Sequence, residues 1–558
     1  MAKRKKSKSV ETLVHDEAQR RNIPTAEYHP VMAEEDKAPV RVAYERRNRD
    51  LDPQLVWRGK DEQDLSRLVV QAPPLYIQEK VHPKVLIDDL LRQTKERRDE
   101  EADDTPDLFA DFNGLPDGAA RTEFYEHDAN WSNRMILGDA LQVMASLAER
   151  EGLRGKVQCI YIDPPYGIKF NSNFQWSTRS RDVKDGNAAH ITREPEQVKA
   201  FRDTWRDGIH SYLGYLRDRL TVARELLTES GSVFVQIGDE NVHRVRALMD
   251  EVFEEDNFVS LISFKTSIGL GSQHLDNTSN YLLWYCRNIQ RIKSRPLFRR
   301  TEAGKQGASR YRTIRLPDLL ERRVTNAELN DLSSLPVGSR LFIDQGLTSR
   351  SASRTTLFPV NYRGRSFVPS AGGWRTSQEG MLRTTRADRV LRTGQSIRFR
   401  KYFDDFAAIG LDNFWEDVSG GVASRTDPKI YVVQTSTKIV ERCFLMTTDP
   451  GDLVLDPNCG SGTTAYVAEQ WGRRWITIDT SRVALALARA RIMGARYPWY
   501  LLADSPEGQQ KEAEITQRAP SEAPTGGDVR QGFIYERVPH ITLKSIANNA
   551  EIDVIWER

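Results

Sequence analysis

Two short stretches carry the residue types from which a reaction could be built. The first, IYIDPPYGIKF (residues 160–170), follows an apolar run with an acid, two prolines and a tyrosine: Asp163, Pro164, Pro165 and Tyr166. The prolines fix the backbone, so the carboxylate, the carbonyls and the ring leave the end of the strand in set directions. The second, DPNCGSGTT (residues 456–464), reads as a turn between a strand and a helix. Glycines there let a ligand approach the backbone, and the first helical amides with threonine hydroxyls can hold an anionic group. The stretch lacks the lysine of GxxxxGK[ST] and the spacing of GxGxxG, which argues against a phosphate-bearing cofactor. Asp479, ending the next apolar run, is placed as an acid that hydrogen-bonds a ribose, so a nucleoside cofactor is implied.

Both stretches need strands and helices to hold them, and the pattern around them supplies these. RMIL, a helix over 140–150 and VQCIYI make one strand-helix-strand unit that ends at Asp163. The run YLGYLRDRLTVARELLTES has apolar residues at helical spacing and is ended by Gly231 before the strand SVFVQIG. A helix VHRVRALMDEVF and strands FVSLISFK and NYLLWYCR follow. Further along come a helix over 437–446, the strand LVLD, a helix over 463–471, the strand WITID and another helix. This alternation predicts an α/β domain with a mainly parallel sheet and helices on both faces.

The chain of 558 residues is too long for one core, and its net charge of +2 hides uneven segments. Residues 1–125 are a polar extension expected to dock rather than fold alone. Residues 126–290 and 411–503 form the two halves of the α/β domain. Between them, residues 291–410 hold 24 Lys/Arg against 10 Asp/Glu, an excess of 14 positive charges. Residues 504–530 read as a linker and 531–558 as a short, strand-rich tail. The four cysteines never form CxxC, so neither a zinc cluster, nor another metal site, nor a disulfide framework is indicated. The basic opening KRKKSK has no apolar run after it and reads as a solvated start or a weak nucleic-acid tether. No stretch approaches the roughly 18 apolar residues of a membrane span, and a soluble, cytoplasmic protein is expected.

DPPY followed far downstream by DPxxGSGTT, with a helix before the second motif and a basic insert between the two, resembles the β class of amino-methylating DNA methyltransferases. The modification subunits of type III restriction-modification systems share that layout. The resemblance covers roughly residues 133–493 and implies a circularly permuted, Rossmann-like class I methyltransferase fold, with the insert as the DNA target-recognition domain. It implies S-adenosyl-L-methionine as cofactor, its methionine end lined by Asp456, Gly460, Ser461, Gly462, Thr463 and Thr464, its ribose on Asp479 and its adenine near Asp139. Ser461 and Thr464 can equally cap the helix, and Asp139 can be an N-cap. The family usually has an aromatic residue where this chain has Asn458, and a Lys-Pro pair where it has Thr435-Ser436.

The resemblance gives the opening motif its chemistry. An adenine exocyclic amine is a poor nucleophile because its lone pair is delocalised into the ring. Acceptors held out of the ring plane, the Asp163 carboxylate and the Pro164 carbonyl, would favour a pyramidal nitrogen, while Tyr166 stacks on a base drawn out of the duplex. Asp in the first position points to N6 of adenine, against N4 of cytosine for SPPY. A non-catalytic DNA-specificity subunit of a defence complex is the reading from a different class. Phe170, Phe174, Asn171 and Asn173 can line the base or merely pack, Lys169 and Lys265 can meet phosphate or solvent, and His274 and Asp276 read as a loop near the target base. Double-stranded DNA, a second copy of the chain and a restriction or helicase subunit are the partners the resemblance implies.

Overall fold

The computed structural model describes residues 40–44, 55–75, 133–166, 207–266, 275–305, 307–418 and 434–558. Lys169, Phe170, Asn171, Asn173, Phe174 and His274 lie outside them. The chain divides into two compact units. The first comprises Met1–Arg295, Asn413–Gln509 and Glu522–Phe533; the second comprises Pro296–Asp412, Gln510–Ser521 and Ile534–Arg558.

In the first unit, eight strands form one sheet: β1 (Arg134–Leu137), β2 (Val157–Ile162), β3 (Leu227–Ile237), β4 (Phe258–Lys265), β5 (Ser279–Cys286), β6 (Phe414–Trp415), β7 (Leu453–Asp456) and β8 (Arg474–Asp479). Their order across the sheet is β6-β4-β5-β3-β2-β7-β8-β1. Only β5 runs against its neighbours, β3 and β4; the other pairs are parallel. Six helices accompany the strands: α1 (Ala140–Glu149), α2 (Ile209–Leu226), α3 (Val242–Phe253), α4 (Thr437–Thr447), α5 (Thr463–Gln470) and α6 (Arg482–Met493).

Every residue of β2 is buried, as a central parallel strand covered on both faces requires. Ile160 and Ile162 pack into a core with Met144 and Leu147 of α1, Leu216 and Leu220 of α2 and Leu248 of α3. Cys159 and Tyr161 alternate to the other face, toward Cys443 of α4. The chain leaves β2 for β3 on one side and leaves β7 for β8 on the other. The ends of β2 and β7 therefore flank the crevice where an open α/β sheet binds ligands.

Helix α2 stops at Leu226 instead of running on to Ser230, and β3 begins at once with Leu227. Gln158 of β2 accounts for the difference: Thr228 and Ser230 donate to its Oε1 at 2.9 and 3.0 Å, and its Nε2 donates to the Ser230 carbonyl at 3.0 Å. Helical spacing continued, but a cross-strand partner took the last four residues.

Residues 55–75 dock on this core through buried charge. Lys60 is 1% exposed and pairs with Glu251 of α3 at 2.5 Å, close to the Trp57 ring. Arg217 of α2 pairs with Asp64. The Ala72 and Pro73 carbonyls accept from Arg150 and Ser146, each at 2.7 Å.

The second unit centres on a five-stranded antiparallel sheet in the order Glu321–Arg323, Thr313–Arg315, Arg340–Gly346, Ser396–Tyr402, Val390–Thr393. Several of its arginines hold the fold together. Arg389 forms a two-pronged pair with the fully buried Asp405, at 2.5 and 2.9 Å, and Arg400, 2% exposed, joins Glu321 and Asp388. The tail is helical, not strand-rich. A capping box of Thr542 and Ser545 starts Leu543–Ala547, and Glu551–Glu557 is tied by Asp553 to Arg383 and Arg386, each at 2.7 Å. The 504–530 stretch also holds a helix, Pro506–Thr516, whose start is capped by the Ser505 hydroxyl accepting from Gly508 N at 3.0 Å. Proline at the first helical position suits such a start.

Removing one partner of a buried pair strands the other, at a cost of about 3–5 kcal/mol. Lys60→Ala is expected to lower the stability of the first unit by that amount in urea denaturation, and Lys60→Met with Glu251→Met to recover most of it.

Candidate active site

Asp163 follows β2 directly, with Pro164 buried behind it and Tyr166 two residues beyond. One carboxylate oxygen, Oδ2, accepts from the Thr435 hydroxyl at 2.9 Å. Burial raises the acid to about 6, against hydrogen bonds from Thr435 and Tyr166 that pull it down. The Tyr166 hydroxyl accepts from Gln236 Nε2 at 2.6 Å and from Asn280 Nδ2 at 3.3 Å, while its carbonyl accepts from Asn241 Nδ2 at 2.7 Å. A Cβ on Gly238 would lie 3.1 Å from the Tyr166 ring, so glycine is what lets the end of β3 pass so close to it. Burial pushes the Tyr161 and Tyr166 hydroxyls far up, and both stay protonated.

Asp456 ends β7, the neighbouring parallel strand, whose Leu455 pairs with Ile160 of β2. It accepts from the Asn458 amide at 2.8 Å and from the Thr464 hydroxyl. Thr464 thus braces the acid from the first turn of α5, whose N-cap is Gly462; neither it nor Ser461 caps the helix with its side chain. Burial raises Asp456 to about 7, and the charges of Asp163 and Asp479 push the same way. Gly462 has φ +70°, and its added Cβ would lie 2.6 Å from Ala488, so α5 and α6 meet at this turn without room for a side chain. Asp479 accepts from Gly460 N at 2.9 Å and Ser481 N at 2.8 Å, which fixes the turn against the end of β8. Ser461 and Thr463 share a hydrogen bond at 2.8 Å, and Arg491 of α6 donates to Thr463 Oγ1 at 2.9 Å.

Asp139 is the N-cap of α1, accepting from Leu141 N at 2.9 Å, and it also pairs with Arg219 of α2. The Arg219 guanidinium sits 3.4 Å from the Tyr215 ring centre, and the Tyr215 hydroxyl, pushed up by burial, faces Asn458. The structure thus brings Asp163, Pro164, Pro165, Tyr166 and Asp456 to neighbouring strand ends, with Gly460, Ser461, Gly462, Thr463 and Thr464 in the turn beside them. Asp479 and Asp139 follow along the same sheet edge, at the ends of the paired strands β8 and β1. Lys265 lies at the end of β4 and Asp276 between β4 and β5.

Sequence reading missed Tyr161, Gln236, Asn280, Tyr215, Arg219 and Arg491. Gln236 had left a signal: it is the one amide in the apolar run SVFVQIG and is only 4% exposed. The others sit on helices or strands whose local pattern has no reason to stand out.

A family model described as DNA methylase, covering N6 and N4 enzymes, matches residues 157–490. The HindVI Mod subunit of Haemophilus influenzae is 24% identical over 64% of this chain and 50% of its own length. The type II methyltransferase M.EcaI of Enterobacter cloacae is 24% identical over 66% of this chain and 70% of its own. The type III restriction-modification enzyme StyLTI Mod subunit of Salmonella typhimurium is 23% identical over 64% of this chain and 53% of its own. The chain thus spans about half the length of these two Mod subunits. With more than half of its residues inside the family model, and with both motif turns on adjacent strands, the chain belongs to the N6/N4 DNA methylase family.

Proposed function

We propose that this chain is a site-specific DNA methyltransferase that moves the methyl group of S-adenosyl-L-methionine to N6 of adenine in double-stranded DNA. The observation that carries the reading is the pairing of two desolvated acids, Asp163 and Asp456, at the ends of adjacent parallel strands, one beside Tyr166 and the other under a glycine turn. Such a donor set suits a cationic ligand with no phosphate. The glycine turn with Asp456, Ser461, Thr463 and Thr464 would hold the methionine end, Asp479 the ribose, and Asp139 with Tyr215 and Arg219 the adenine side. Bound there, S-adenosyl-L-methionine supplies an electrophilic methyl group, whose bond to sulfur breaks with its electron pair going to the sulfur.

The protein's own part is placement. The Asp163 carboxylate and the Pro164 carbonyl accept the two N–H groups of the target amine and free its lone pair; as the methyl group arrives the amine becomes acidic and passes one proton to the Asp163 carboxylate, which releases it to solvent. Tyr166, anchored at its hydroxyl by Gln236 and Asn280, presents its ring to the flipped base; stacking returns about 1–3 kcal/mol of the flipping cost. Asp rather than Ser before the prolines supports adenine over cytosine.

The insert serves as the target-recognition domain. Within the second unit, a cleft of about 430 Å³ is lined by Ser349, Ser351, Ser353, Thr356, Arg375 and Ser377, with Arg350 exposed on the same loop. Hydroxyls and guanidinium groups at one cleft fit a phosphate backbone. The names of the relatives support a restriction-modification setting. The reading extends to phage defence, with a restriction or helicase subunit and a second copy of this chain as partners and the cytoplasm as the place of action. Among the described residues no helix is long and apolar enough to cross a membrane.

Mass spectrometry of DNA from a methylation-free host expressing the chain should find N6-methyladenine, with Asp163→Ala reducing it by more than about a thousandfold. N4-methylcytosine without N6-methyladenine overturns the choice of base. In calorimetry, S-adenosyl-L-methionine should bind more tightly as pH rises through 7. A cation favours the ionised form of Asp456, whose burial otherwise favours the proton. S-adenosylhomocysteine, without the sulfonium charge, should show a weaker dependence, and Asp456→Asn should flatten both. Arg350→Ala and Arg375→Ala should each lower the slope of log affinity for DNA against log salt by about 0.9 and leave the preferred sequence unchanged.

A further inference from the structure

We propose that Thr435 is a positioning residue for methyl transfer: its hydroxyl aims and charges the Asp163 carboxylate, and its carbonyl ties that carboxylate's support to the glycine turn. The inference rests on the proposed function for its catalytic meaning, and on hydrogen-bond geometry for its substance. Thr435 stands where the resembling family carries a lysine, so the neutral hydroxyl replaces a charged side chain.

The direction of each bond follows from counting donors. Gln236 is 4% exposed and has two amide protons and one carbonyl oxygen to satisfy. Its oxygen accepts from the Tyr161 hydroxyl at 2.6 Å. Its nitrogen donates to the Tyr166 hydroxyl at 2.6 Å and to Thr435 Oγ1 at 3.0 Å. With the Thr435 oxygen already accepting, its single proton is left for Asp163 Oδ2, 2.9 Å away. The competing donation, from Thr435 to Gln236 Oε1, is longer at 3.3 Å and would leave the carboxylate facing a lone pair. The network also sets the amide orientation, because turning Gln236 over would draw the protons of the Tyr166 and Thr435 hydroxyls to its oxygen and away from the Asp163 carboxylate. A chain of donors, buried at Tyr161 and Gln236 and half-buried at Thr435, thus runs to the acid.

On its other side, the Thr435 carbonyl accepts from Thr463 Oγ1 at 3.3 Å, and Thr463 is held in turn by Arg491. One residue between the motifs therefore touches both of them. Donation to Oδ2 holds the carboxylate in one rotation, and it favours the ionised form that accepts from an amine. Removing the donor leaves burial unopposed by that bond, so the acid should titrate higher.

The test compares wild type with Thr435→Val, which keeps the shape and loses the hydroxyl, and Thr435→Ser, which keeps the hydroxyl. The first readout is the titration of the Asp163 carboxyl followed by carbon-13 NMR of aspartate-labelled protein, assigned with Asp163→Asn. A midpoint near 6 in wild type should rise by roughly one pH unit in Thr435→Val and return in Thr435→Ser. The second is the pH profile of single-turnover methyl transfer. Thr435→Val should lose about fivefold more rate at pH 6 than at pH 8.5, the ratio of ionised fractions for midpoints near 6 and near 7, with Thr435→Ser close to wild type throughout. Equal midpoints in all three proteins, or a loss in Thr435→Val that is the same at every pH, overturns the inference. If the valine protein fails to fold, Thr435→Ala takes its place in both measurements. A wild type that methylates nothing refutes the proposed activity instead, and the NMR midpoints still decide whether Thr435 governs Asp163.

Discussion

Two carboxylates removed from water at the ends of neighbouring strands are the constraint around which the rest of this unit is arranged. An acid in such a place costs free energy unless donors surround it or a proton neutralises it. The fold uses donors of different origin: a hydroxyl from the residues before α4 for Asp163, and a backbone amide with a helix hydroxyl for Asp456. Parallel pairing of β2 with β7 brings the two acids to the same edge, and the sheet has to reverse its winding between them for the crevice to open there. A glycine follows from the same packing, since a side chain at Gly462 would strike Ala488 and keep α5 and α6 from meeting at the turn after Asp456.

Much of this was legible in the sequence, because local pattern and local chemistry agree. The strands VQCIYI and FVSLISFK and the helix VHRVRALMDEVF fold with the bounds their apolar spacing sets. The residues that failed to announce themselves act across the chain. Gln236 meets Thr435 from 199 positions away, and Asn280 reaches Tyr166 across 114. A window of a few residues contains no trace of either contact. The early end of α2 is the same lesson in backbone form: propensity said helix, and Gln158 on another strand decided otherwise. The tail over 531–558 read as strand-rich, while the Thr542–Ser545 capping box and the Asp553 pairs made helices.

Charge in the insert has a similar double meaning. Its excess of basic residues suggests a polyanion, yet Arg389 and Arg400 are buried and spend their charge on Asp405, Asp388 and Glu321. The arginines that fold the unit and the arginines that can meet a partner are the same residue type, and only burial separates them. A count of charge therefore overstates the surface available to nucleic acid.

The position of β2 between β3 and β7 also has a consequence for how the protein is made. One neighbour, β3, is synthesised soon after β2, but β7 follows only after the entire insert, nearly three hundred residues later. At about 5–20 residues per second, the ribosome leaves one edge of an entirely buried, apolar strand unpaired for about 15–60 s. An open edge of that kind invites pairing with another chain. The insert is thus a delay as well as a domain, and the nascent protein needs its β2 edge shielded until the second motif arrives.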